Sequence, residues 1–428
     1  MEPTPTERAS KSNDEIESPE VNRNTANRDK HKMQQQQQQR VNPINVHQKE
    51  SGPVLHSATA VMRHQTVEHP FVRPASRPEP KAKEEIDIGL NGWKVPEQLK
   101  NVPPHYPLAP GHCTIFVPHT ESEVVASRIW KCLRDQSIYS VFDAAEAVVL
   151  CTTLGLVEFV VSLFAGRGDY SHGVIVEVRR RTGCSLAFFR ARCAVTLSAE
   201  GKQVTEEAVT ACSQKLELLD MQMSEEEDAE ICNEALDDIT TLMDKERQDG
   251  QLLGVESLAN LTDGIKSGSY VAKFSSVTLL KDRCKNEQFV RYVTEFLGKP
   301  LPMDSDCDAH HLRTMRHWIL IVFANVVSSA GEQDLGLVHG DNQAVFEQLS
   351  QCVVLLVAEL KTAKERPHGA YNAARALSSL IKTWPSVDVR SKIFNDDLEI
   401  ANYIGIRCHA RLERESNDIM KSLYSEGQ

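Results

Sequence analysis

The sequence predicts a small α+β domain followed by an all-α region, both behind a disordered N-terminal segment. Three observations carry this. The first hundred residues hold few apolar side chains and no sustained period. Residues 111 to about 201 alternate between two-residue and helical periods. From about residue 203 the pattern is helical almost throughout, with no alternating run between the segments. The boundaries fall at 1–105, 106–202 and 203–428.

The N-terminal segment is rich in Pro, Glu, Asn, Lys and Arg and includes the glutamine run 34–39. Such a chain buries too little apolar surface to offset its ordering entropy. Phe71 and Trp93 stand alone in polar surroundings, as isolated apolar residues of a linker or as short docking motifs. Prolines 103, 104, 107 and 110, with Gly111, form a stiff boundary.

In the mixed domain a strand is expected over 113–117 and a helix over 121–136. Val124, Val125, Ile129 and Leu133 mark the helix's apolar face. Thr120 is the expected N-cap, with Glu123 completing a capping box. Strands follow at 138–142, extending through 148–152, then at 156–164 and 173–181. The last two are joined by a turn at Gly166-Arg167-Gly168. A closing helix over 185–198 places Leu186, Phe189, Cys193 and Leu197 on one face. This order describes an antiparallel sheet with two helices on one side.

Helices are expected at 204–223, 226–247, 249–262, 266–281, 286–297, 309–329, 341–364, 367–383 and 388–423. Short turns such as 298–302 and 384–386 separate them. Helices in unbroken succession suggest an α-solenoid.

The run Val176-Glu177-Val178-Arg179-Arg180-Arg181-Thr182-Gly183-Cys184-Ser185-Leu186-Ala187-Phe188 reads as strand, basic corner, glycine, small residue and helix with an aromatic. With Trp130-Lys131-Cys132-Leu133 and Val157-Glu158-Phe159-Val160-Val161 upstream, residues 112–201 resemble the kinase-associated-1 (KA1) domain. The resemblance implies a basic surface for anionic phospholipid and, in some members, restraint of a partner domain. The chain contains no Gly-rich nucleotide loop, H-R-D or D-F-G, so kinase autoinhibition is not carried over.

The helical region resembles armadillo or HEAT repeats. Ala374-Arg375-Ala376-Leu377-Ser378-Ser379-Leu380 is similar to the third helix of an armadillo unit. Gly254-Val255-Glu256-Ser257-Leu258-Ala259-Asn260-Leu261 is a second instance, and the stretch 318–327, with Phe323-Ala324-Asn325-Val326, is a looser third. They lie about 65 and 54 residues apart, against about 40 for one unit, so the repeats are degenerate or carry insertions. Such an array implies a groove for a partner protein's peptide or helix.

A net charge of -12 argues against a general nucleic-acid binder. The 11 cysteines form no C-x-x-C pair and read as reduced, buried thiols. The N-terminus has no signal-peptide core, and the most apolar runs, 318–327 and 352–360, fall short of the roughly 20 residues that span a bilayer. The expected location is cytoplasmic, nuclear or peripheral to a membrane, in a eukaryote.

Arg167, Arg179, Arg181 and Arg190 are the candidate anion-binding residues, with Arg180 and Arg192 beside them. Strand alternation puts Arg179 and Arg181 on one face and Arg180 on the other. Three readings fit: an anionic lipid or other anion, intramolecular pairing with the acidic stretch 225–230, or a solvated surface. The cluster Asp306-Cys307-Asp308-Ala309-His310-His311 suits helix capping better than metal binding, because adjacent histidines diverge by about 100° on a helix. No Gly-x-Ser-x-Gly turn or recognisable cysteine nucleophile is present. The chain therefore reads as a non-enzymatic scaffold without a cofactor. The alternative is a regulatory subunit whose KA1-like domain docks intramolecularly or on an enzyme in trans.

Overall fold

The computed structural model of the chain describes residues 87–102, 113–205, 209, 225–301, 307–336 and 343–424. Expectations for residues 1–86, for the turn 103–111 and for most of the helix at 204–223 lie outside them.

Five strands form one antiparallel sheet: β1 (Thr114–Pro118), β2 (Tyr139–Asp143), β3 (Val148–Thr152), β4 (Glu158–Ala165) and β5 (Gly173–Thr182), in the order β1-β5-β4-β3-β2. The run expected from 138 to 152 is thus two strands and a turn. Two helices, α1 (Ser122–Asp135) and α2 (Ser185–Ala199), lie against one face. Val125, Ile129 and Leu133 of α1 and Ala191 and Val195 of α2 pack there on Val149, Phe159, Val161, Val174, Val176 and Val178. The strand period of two delivers these side chains to a single face.

The alternation ends at the arginines. Phe159 opposes Arg180 while Glu158 opposes Thr182, so Arg181 is the extra residue of a β-bulge. The two-residue period that would align Arg179 with Arg181 is therefore interrupted between them.

The expected capping box is not formed. Helix α1 starts one residue later, with Glu121 at the N-cap and no side-chain cap. The Thr120 hydroxyl donates instead to the Pro118 carbonyl at 3.0 Å.

Described residues before 106 already belong to the fold, against the boundary expected there. Residues 87–102 strap the sheet: Phe142 N–H donates to Asp87 O, the Trp130 indole to Gly89 O, and Val102 N–H to Ala165 O. Ile88 is buried in the helical core and Trp93 in the sheet core, where its ring lies 5.7 Å from that of Phe142. Trp93 is a core residue, not an isolated apolar residue of a linker.

Among the described residues nine helices follow: α3 (Glu225–Met243), α4 (Gln248–Leu261), α5 (Ser269–Lys281), α6 (Arg283–Gly298), α7 (Cys307–Ser329), α8 (Gln343–Leu360), α9 (Pro367–Thr383), α10 (Asn395–Cys408) and α11 (Ala410–Tyr424). Each packs on helices one to three places away along the chain. Helix α7 is central, touching α4, α5, α6 and α9. Its Asn325 donates to Ala259 O of α4 and accepts from Arg375 of α9. The three stretches that suggested armadillo units are adjacent through this residue.

Helix α8 has the length and apolar composition to cross a membrane, beyond the short run expected at 352–360. Its Val353, Leu356, Glu359 and Leu360 are buried, and it packs on α6, α9 and α10.

The expected helix 388–423 is broken at His409, and α11 folds back on α10. Gly405 permits the close return, because a Cβ there would lie 2.3 Å from Glu413 N. Helices α10 and α11 also meet α1, so the sheet unit rests directly on the helices.

Gly183, between β5 and α2, has φ of +91°, and an added Cβ would stand 2.7 Å from Val157 Cα and 3.0 Å from Leu156 O. Both neighbours are backbone and cannot swing away. Gly183→Ala is expected to destabilise the protein by about 2 kcal/mol or more, read from chemical denaturation.

Candidate functional site

The sequence-nominated arginines separate into two places. Arg179, Arg180 and Arg181 end β5 and are exposed, and exposed Arg190 stands in the second turn of α2, across Gly183. Arg167 lies in the β4–β5 connection, at the other end of the strand pair. At about 3.3 Å per residue it is on the order of 25 Å away, and it is not part of this corner.

Within the corner, Arg180 donates to Gly183 O at 2.8 Å, which fixes one guanidinium across the turn. Arg192 lies over the Phe189 ring at 4.7 Å. Arg179, Arg181 and Arg190 make no ion pair among the described residues. The side chains of 225–228, part of the acidic stretch considered as their partner, lie outside those residues. Cys184 is the N-cap of α2 and offers no side-chain bond to the first-turn N–H groups. The helix dipole adds positive potential to the same corner.

A second constellation, absent from the sequence reading, lies where the sheet unit meets the helices. The β3–β4 turn presents the carbonyls of Thr152 and Leu154. His368 Nε2 lies 2.8 Å from Thr152 O, and His317 Nε2 lies 2.8 Å from Leu154 O. His368 Nδ1 is 2.9 Å from His409 Nε2. Leu412 N–H donates to His409 Nδ1 at 3.1 Å, so His409 caps α11 through its ring. The next orphan donor of that helix, Arg411 N–H, donates to Ser137 Oγ of the sheet unit at 2.9 Å.

This pattern dictates the tautomers. A His409 Nδ1 that accepts must carry its proton on Nε2, and Nε2–H then donates to His368 Nδ1. His368 in turn carries its proton on Nε2 and donates to Thr152 O. The relay is complete only while both rings are neutral.

Burial depresses all three imidazoles. It is the largest cause at His368, which the neighbouring His317 helps to bring down to about 3, against the opposing hydrogen bond to Thr152. His409 is held well below its ordinary value by burial and then by His368, and His317 is lowered by burial.

A cavity of about 250 Å³ adjoins the relay, lined by Tyr139 and Leu156 of the sheet unit and by His317, Leu320, Pro367 and His368 of the helices. Glu359 stands in its wall. Arg316 and Arg366 pair with Glu359 Oε1, while Oε2 finds no donor among the described residues. Arg316 also donates to the carbonyls of Phe296 and Lys299, closing the end of α6.

At the other candidate cluster, Asp308 lies in the first turn of α7, His310 is exposed and His311 half-buried. Among the described residues no group of three His, Cys, Asp or Glu side chains could hold a metal ion. Cys113, Cys184 and Cys284 are exposed, against the expectation of uniformly buried thiols. Burial raises the buried Cys132, Cys352 and Cys408 to about 12, which keeps them protonated and unreactive.

No family model, curated protein or solved structure matches this chain.

Removing one partner of a buried ion pair strands the others without compensation. Glu359→Ala is therefore expected to cost about 3–5 kcal/mol, measured as a lowered denaturation midpoint with an unchanged slope.

Proposed function

We propose that this protein is a non-enzymatic regulatory module: a KA1-like sheet unit, docked on its own armadillo-like helices, reads an anionic surface through Arg179, Arg181 and Arg190. The single observation behind this reading is the exposed arginine corner at Gly183, with three guanidinium groups unpaired among the described residues and an uncapped helix start beside them. Support for the KA1-like reading comes from the strand order and from two helices on one sheet face. Support for the armadillo-like reading comes from the adjacency of α4, α7 and α9 around Asn325.

The expected peptide groove has less support. Asn325 is buried and its amide is spent between helices. The contacts of the sheet unit with α10 and α11 favour the regulatory alternative over an open scaffold.

Each basic side chain near an anionic membrane contributes about 1 kcal/mol, so three give weak, reversible and salt-sensitive attachment. In sedimentation with phosphatidylserine and phosphoinositide vesicles at low salt, the full chain is expected to bind. The Arg179→Gln/Arg181→Gln/Arg190→Gln variant is expected to lose binding by about two orders of magnitude. A full chain that ignores these vesicles, or a variant that binds as well, removes the proposal.

A further inference from the structure

We propose that the His409–His368–Thr152 relay is an acid-sensitive latch between the sheet unit and the helices: uptake of one proton by either ring breaks it and frees the β3–β4 turn. The geometry carries this. Every ring nitrogen of His368 and His409 is engaged. A proton added at His409 Nδ1 would face the Leu412 N–H, and one added at His368 Nδ1 would face the His409 Nε2–H. Either addition turns an acceptor into a second donor and sets two N–H groups against each other. An imidazolium at either place gives up that partner and turns out of the seam.

The surroundings offer the added charge little relief. From β2, Tyr139 approaches His368 with its ring, 6.2 Å between centroids, and from α9 Tyr371 approaches His409 at 5.5 Å. Neither ring brings a carboxylate to the imidazoles. His317 of α7 stands 6.2 Å from His368 and would repel a second imidazolium. From α11, Arg411 adds positive potential at both rings. Around the adjoining cavity Arg313, Arg316 and Arg366 face Glu359 and Glu365. The first of these carboxylates already pairs with Arg316 and Arg366. Beyond the seam, Arg134 of α1 pairs with Glu413 of α11, and Cys408 is a protonated thiol. Among these groups the arginines outnumber the carboxylates, so protonation is answered by opening.

What opens is limited. The histidines hold the turn through the Thr152 and Leu154 carbonyls, and Leu156 is packed on the helical core. The sheet core and the helical core each keep their own buried residues. The latch therefore controls access to the cavity and to the docked face, and it acts whether or not the arginine corner binds anions.

The direction follows from the depressed values. A base favoured in its neutral form stabilises the closed state fully above its open-state value of about 6.5. That contribution is lost as the pH falls from there towards about 3. Each participating histidine makes opening about ten-fold easier per pH unit in that range, or about 30-fold at pH 5.

Hydrogen exchange of the full chain, corrected for intrinsic rates, tests this at pH 7.5 and pH 5. Peptides covering 150–158 and 409–413 are expected to lose protection at least ten-fold relative to 322–327 of α7, and to recover it on return to pH 7.5. The acid-induced difference is expected to vanish in His368→Gln/His409→Gln, whether that variant rests closed or open. Equal protection at both pH values in the wild-type chain overturns the proposal. So does parallel loss in 322–327, which marks global unfolding, or a variant that keeps the transition. If the variant fails to fold, the wild-type comparison decides alone.

Discussion

Buried backbone polar groups must find partners, and at the seam between sheet and helices neither side can supply them from its own secondary structure. The end of β3 and the turn after it bring the Thr152 and Leu154 carbonyls to the seam, and the start of α11 brings the orphan N–H groups of Arg411 and Leu412. The solution is reciprocal: imidazoles from α7 and α9 donate to the turn, while Ser137 from the sheet unit accepts from α11. Each unit therefore completes the hydrogen bonding of the other. Apolar packing of Tyr139 and Leu156 on the helical core adds area to this exchange, but area alone would not fix the register of the two surfaces.

The same requirement accounts for local features that look costly in isolation. Ser137 is buried with φ of +55°, a conformation usually left to glycine. It follows α1 in a C-terminal turn in which Ile138 N–H donates to Leu133 O. Glycine would relieve the backbone there but would remove the hydroxyl that meets Arg411 N–H. Leu156, at φ of +56°, closes the turn that carries the Thr152 and Leu154 carbonyls. His409 interrupts an otherwise continuous helical pattern because its ring caps the helix that follows. At Ser137 and Leu156 the left-handed backbone sits where the sheet unit meets the helices.

This explains which parts were legible in the sequence. Strands β4 and β5, helix α1 and the succession of long helices rest on local periodicity, which a single sequence displays. The arginine corner was legible for the same reason, though the bulge at Arg181 and the separation of Arg167 depend on pairing register. Trp93 and Ile88 were illegible because their burial comes from residues far along the chain. The histidines were illegible too. His317, His368 and His409 sit in three helical neighbourhoods with no common spacing, among 15 histidines in the chain. The fold-back of the last helix was illegible as well, because the need for Gly405 appears only once Glu413 N is placed against it.

The β3–β4 turn also joins the two candidate sites. Gly183 leans on the Val157 and Leu156 backbone from the side of the arginine corner. From the opposite side the imidazoles hold Thr152 and Leu154. Between them Thr153 closes the turn on itself, accepting from Val157 N–H through its hydroxyl and donating to Val157 O through its backbone. The same short turn therefore touches both surfaces. Any coupling carried by this turn would be reciprocal: what anion binding at the corner did to the seam, the state of the seam would do to that binding. A glycine at 183, with no side chain to wedge against the turn, keeps that contact at backbone distance.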